Sequence, residues 1–155
     1  MPATVRVFAW TFVLFCALTA LMTYPQVLHL RSGLPDVGDP LLNTWALSCV
    51  AHQLPVAPAH LFDGNIFYPE RGTLAYSESL LVPALMAAPL RWAGLGPILV
   101  YNLVFLSGVV LSGVGVTLLV RELTGETLAG IVAGIVFAFL PFRMDHYSHL
   151  QMQQT

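Results

Sequence analysis

The sequence predicts an all-α fold of polytopic membrane helices, with one amphipathic helix lying in the membrane interface. Three observations carry that prediction. Of the 155 residues, 57% are hydrophobic and 9% charged, where a soluble domain carries about 25% charged residues. Mean hydropathy is +0.76. The few charges lie between long apolar runs, which is the pattern of a chain whose solvent is partly lipid.

Composition also excludes some classes. All six basic residues are arginine and the net charge is −2, so there is no broad basic surface for nucleic acid. Cys16 and Cys49 have no metal-ligand spacing and are not expected to pair.

The first apolar run covers residues 7–29, with Arg6 before it and Arg31 after it. About 20 residues span a bilayer, so this run predicts a membrane span. The rival is a cleaved signal peptide, suggested by Ala-Leu-Thr-Ala at 17–20; the run is too long for that, which favours an uncleaved anchor. Residues 30–40 form a polar loop. Residues 40–54 read as the amphipathic helix: Leu41, Leu42, Trp45, Cys49 and Val50 on a broad apolar face, Thr44, Ser48 and His52 in a polar row. Trp45 is expected toward lipid and His52 toward water. Residues 55–73 hold Pro55, Pro58, Asp63-Gly64, Pro69 and Gly72, the composition of a turning loop. Phe62, Phe67 and Tyr68 suit the headgroup level.

Residues 74–94 are apolar but interrupted by Glu78, Pro83, Pro89 and Arg91. They predict either a kinked span or a re-entrant segment. Residues 97–120 predict a clean span closed by Arg121-Glu122, and residues 127–140 a shorter one ending at Pro141. Gly108 with Ser112, and Gly130 with Gly134, have the small-xxx-small spacing that lets membrane helices approach closely. Charge does not choose the orientation. If 74–94 does not cross, a cytoplasmic N-terminus leaves Arg6 and Arg121 inside and the other four arginines outside; if it crosses, they divide three and three. Residues 149–155 carry no helix stop or polar tail, so residues 1–155 are expected to be a single transmembrane domain at the N-terminus of a longer protein.

Charged groups near a bilayer are costly, so each needs a reason. Asp36 and Asp39 follow the first run. A carboxylate there can act as a general base toward an acceptor hydroxyl. Asp39-Pro40 also reads as a helix start, with aspartate as N-cap and proline in the first turn. Glu78 offers a substrate or metal contact, or a favourable charge at a helix N-terminus. In residues 141–149 a continued helix would put His146 and His149 on one face and pair Asp145 with His149. Arg143 there presents a fork suited to phosphate. Against these stands the plain reading of an interfacial cluster that ends a helix.

In this order the features resemble the N-terminal part of bacterial integral membrane glycosyltransferases of the GT-C class. The resemblance rests on the first span, then Gly38-Asp39-Pro40, the helix at 40–54, Asn65-Ile66-Phe67-Tyr68-Pro69, the Glu78 segment, and Pro141-Phe142-Arg143 with His146 and His149. It implies a multi-pass protein of the bacterial inner membrane, with the amphipathic helix in the first external loop. It also implies a donor sugar carried on a polyprenyl phosphate. Asp39 matches the class's catalytic loop aspartate best, and Asp36 second. Glu78, Arg143, His146 and His149 are the expected substrate contacts. A divalent cation such as Mg or Mn is compatible with the class, but the usual paired acidic motif is missing because Val37-Gly38 separates Asp36 from Asp39; the metal ligands stay unassigned. The expected function is transfer of the sugar to an acceptor hydroxyl. The alternatives are a transporter or lipid-handling protein, in which Glu78 and Arg143 line a polar path, and a membrane subunit without chemistry.

Overall fold

Seven α-helices follow one another in the computed structural model, which describes residues 3–77 and 80–153 and contains no strand among them. They are α1 (Ala3–Met22), α2 (Asp39–Val56), α3 (Leu81–Trp92), α4 (Pro97–Thr124), α5 (Thr127–Ala138), α6 (Pro141–Asp145) and α7 (Leu150–Gln153). Short 3₁₀ turns lie at Gln26–Leu28, Pro58–His60 and Thr73–Tyr76. Three helical stretches are long and apolar enough to cross a membrane: Val5–Met22, Pro97–Thr124 and Thr127–Asp145. Trp10, Leu21, Leu119, Leu123 and Leu128 on these stretches are exposed, which suits lipid rather than water as their surroundings. Both cysteines are free thiols.

The helix ends follow local chemistry. The first apolar run continues to His29, but α1 stops at Met22 because Pro25 disfavours the helical conformation of Tyr24 before it. Thr23 closes the last turn, its N–H donating to Thr19 at 2.9 Å. At its far end α4 runs through Arg121-Glu122 to Thr124 and is stopped by Gly125, whose φ of 79° is the left-handed conformation that ends helices. The Gly125 N–H closes onto the Arg121 carbonyl at 2.8 Å. Among the described residues of 74–94, the end of the Thr73–Tyr76 turn is followed by α3, whose 12 residues reach about 18 Å, short of a bilayer core of about 30 Å.

The chain forms two compact units. The first holds α1, the turn after it, residues Phe105–Tyr147 and the end of the chain from Met152. Its core is Phe15, Val109, Val110, Val114 and Ala138. The packing face of α4 is Gly113 and Thr117. A Cβ on Gly130 would meet the Thr117 carbonyl oxygen, and one on Gly134 would meet the Gly113 oxygen, the Thr117 hydroxyl and the Phe15 ring. Gly130 and Gly134 therefore serve the close approach their spacing predicts, against Gly113 and Thr117 rather than Gly108 and Ser112.

The second unit comprises His29–Val104 and Ser148–Gln151. Here α2 lies on α3. Leu47, Val50 and Ala51 are buried on one helix, Ala84, Ala87 and Ala88 on the other, and the alanines let the two backbones approach. The polar row of α2 is spent inside the helix: Thr44 is buried with its hydroxyl on the Pro40 carbonyl at 2.7 Å, and the Ser48 hydroxyl donates to Thr44 at 2.9 Å. Leu41 and Leu42, in contrast, are exposed. The apolar residues of α2 thus surround it more than the sequence pattern suggests. His52 is exposed, as its place in the polar row predicts. Asn102 in the first turns of α4 is fully buried and donates to the carbonyls of Leu30 at 2.9 Å and Gly33 at 2.8 Å, fixing the polar loop that leads to α2.

Candidate functional site

Asp39 is the first residue of α2, with Gly38 at the N-cap and Pro40 behind it. Its position favours a negative charge, because the first turn of a helix presents unpaired N–H groups. No side chain caps this helix, so the carboxylate is not occupied in that way. It faces His149 instead: the imidazole Nδ1 lies 2.8 Å from an Asp39 carboxylate oxygen, with both side chains part-exposed. The chain brings them together by breaking the helix that the sequence continues through 141–149. α6 ends at Asp145 and α7 begins at Leu150. His149 lies in the turn between, so 141–149 is not the continuous helix on which His146 and His149 were expected to share a face.

Asp39 and His149 line a polar pocket of about 350 Å³, together with Asn43, Tyr76, Ser77 and Gln151. Its wall of Leu42, Asn43, Tyr76 and Ser77 also borders an apolar cavity of about 370 Å³. Trp45, Val50, Phe62, Ile66, Phe67 and Leu74 line that cavity. Trp45, expected toward lipid, is one of its walls. Polar pocket and apolar cavity lie side by side within one unit.

The loop over the cavity is held by Asp63. The Asp63 carboxylate accepts the Gly72 N–H at 2.7 Å and lies 2.9 Å from His60 Nδ1. The Leu74 N–H donates to Phe62 at 3.0 Å beside it. The Gly72 N–H, followed by the His60 bond, holds the Asp63 carboxyl below the ordinary carboxylate range. Asp63-Gly64 was legible as a turn; its long reach to Gly72 was not.

The remaining candidates stand elsewhere. Asp36 is exposed and its carboxylate accepts the N–H of Val37 at 2.6 Å. Glu78 lies outside the described residues. Arg143 belongs to the first unit, where it is buried: its guanidinium donates to the Gln153 carbonyl at 2.9 Å and sits over the Phe137 ring, 4.9 Å from the centroid. The Gln153 side chain returns a bond to the Arg143 carbonyl at 3.0 Å. These contacts tie Arg143 to Gln153 and Phe137 within the first unit. His146 bonds the Phe142 carbonyl at 2.9 Å, stacks at 4.3 Å on that residue's ring and lies 3.9 Å from Asp145. Nearby, the Tyr147 hydroxyl donates to the Gln26 side chain, and burial pushes this phenol up to about 12.

The described residues do not make a divalent-cation site by themselves. No three of His, Cys, Asp and Glu cluster among them. A hard cation seeks several oxygen ligands, and the Asp39 pocket supplies one carboxylate, already turned to an imidazole.

Comparison with protein-family models, curated proteins and solved structures finds no match for the chain.

Proposed function

We propose that the chain is the membrane domain of a glycosyltransferase that moves a sugar from a lipid-phosphate-linked donor to an acceptor hydroxyl. In this reading the protein is multi-pass in the bacterial inner membrane, with α2 in the interface on the external side. One observation carries the proposal: an aspartate–histidine pair lines a polar pocket that shares a wall with an apolar cavity. The polyprenyl chain of the donor would lie in the cavity and its sugar phosphate in the pocket. The carboxylate–imidazole pair would take the acceptor's proton as the sugar leaves the phosphate, a form of general-base catalysis.

A transport path draws less support. Of the polar residues on α4, Asn102 is bound to the loop at Leu30 and Gly33, Ser112 donates to Val109 and Thr117 to Gly113. Those bonds are internal to the protein.

The test is made on the full-length protein in proteoliposomes containing polyprenyl-phosphate sugars and an acceptor alcohol. The readout is release of lipid phosphate together with glycosylated acceptor. Asp39→Asn should lower turnover by about 10²–10⁴-fold with unchanged thermal stability. Absence of transfer from every lipid-phosphate sugar, or full transfer by the Asn variant, would sink the proposal.

A further inference from the structure

We infer that His149, not Asp39, receives the acceptor's proton, and that Asp39 acts as the positioning residue that orients it. The inference rests on the glycosyl-transfer reading and deepens it.

The geometry leads there in three steps. An ionised carboxylate only accepts hydrogen bonds. At 2.8 Å from Asp39, Nδ1 of a neutral His149 must therefore carry the ring's hydrogen. That choice of tautomer puts the ring's basic lone pair on Nε2. His149 is also a wall of the pocket that holds Asp39, so the base and the group that fixes its tautomer belong to one space. Imidazole is the side chain that most often takes the proton in general-base catalysis. Tyr76 is the other titratable residue of the pocket wall among the described residues. Asp36, in the loop that leads into α2, has its carboxylate on the Val37 N–H.

The step balances. The acceptor O–H bond breaks, its proton goes to His149 Nε2, and the oxygen's electron pair forms the bond to the anomeric carbon. The bond from that carbon to the phosphate oxygen breaks, and its pair leaves with the lipid phosphate. Asp39 stays ionised and stabilises the imidazolium. The imidazolium then returns the proton to the departing phosphate or to water.

Two measurements on the full-length protein test this. In the first, lipid-linked transfer is compared for wild type, H149Q, D39N and the double variant. Glutamine can still donate to Asp39 but cannot take the proton. H149Q should lose about 10²–10⁴-fold in turnover, and the double variant should be no slower than the slower single, because the two residues act as one unit. In the second, ¹⁵N-histidine NMR of the neutral protein should show His149 as the Nδ1–H tautomer, with that preference lost in D39A. Near-normal transfer by H149Q beside a crippled D39N makes Asp39 itself the base; it overturns the inference and leaves the glycosyl-transfer reading standing. A His149 tautomer unchanged in D39A also overturns it, whatever the transfer rates. A wild type that transfers no sugar removes both.

Discussion

The indole N–H of Trp92 donates to the carbonyl of Ala51 at 2.9 Å, joining α3 to α2 at a carbonyl that its own helix cannot serve. The helical partner of Ala51 would be the N–H of residue 55, and residue 55 is Pro55, inside α2. A proline that would otherwise leave a buried acceptor unpaired has become the docking point of the next helix.

Trp92→Phe should therefore destabilise the second unit by about 1–3 kcal/mol, the cost of an orphaned acceptor. Pro55→Ala supplies the missing N–H. In that background the Trp92→Phe loss should shrink. Thermal unfolding in detergent of the two singles and the double completes the cycle; equal losses with and without Pro55 would reject the coupling.

Asn102→Leu keeps the volume of the buried amide but strips both donors from the Leu30 and Gly33 carbonyls. The expected result is a loop at 30–38 that is cut by protease more readily, and a stability loss of about 1–3 kcal/mol per carbonyl left dry. Limited proteolysis before and after the substitution measures it.

At Gly134 the added methyl of an alanine would press on the Gly113 backbone oxygen and the Phe15 ring. Backbone cannot swing aside as a side chain does, so Gly134→Ala should cost about 1–3 kcal/mol of overpacking strain. Gly115→Ala is the matched control, because no atom lies within 4 Å of the Cβ it would add. The unfolding temperatures of the two variants should separate clearly.

The tie at Asp63 is sensitive to acid. Its folded carboxyl is held below the ordinary range, mainly by the Gly72 N–H. A lowered carboxyl stabilises the folded loop above the unfolded value, and that contribution disappears as pH falls through the lowered folded value. Exchange of the Gly72 amide should accelerate on acidification through that window, after correction for intrinsic exchange. In Asp63→Ala it should be fast already at neutral pH. An amide equally protected in both proteins would remove Asp63 as the tie.

Much of the helix plan could be read from apolar run length: the starts of α4 and α5 fall where Pro97 and Thr127 put them. Where the reading overran, a local signal was outweighed. Residues 23–29 are apolar enough to extend α1, but Pro25 controls the backbone there. For α2 the spacing of Thr44 and Ser48 suggested a wet face, whereas each hydroxyl is satisfied by its own helix and can be buried. The candidate site was half legible. Asp39 stood out by following the first apolar run, where the sequence favoured a helix cap over a base; Gly38 takes the N-cap, and the Asp39 carboxylate meets His149. That bond joins residues 110 positions apart across a helix break after Asp145, and no periodic pattern encodes it. Arg143 was noticed for its charge, but Gln153 and Phe137, which fix its surroundings, carry no motif.

The wall of Leu42, Asn43, Tyr76 and Ser77, common to the polar pocket and the apolar cavity, links two kinds of preference. A substitution at Asn43 or Tyr76 reshapes both volumes at once. Under the glycosyl-transfer proposal, discrimination between head groups and between chain lengths or branching would be coupled at these shared residues. Variants at Asn43 or Tyr76 selected for one would then drift in the other.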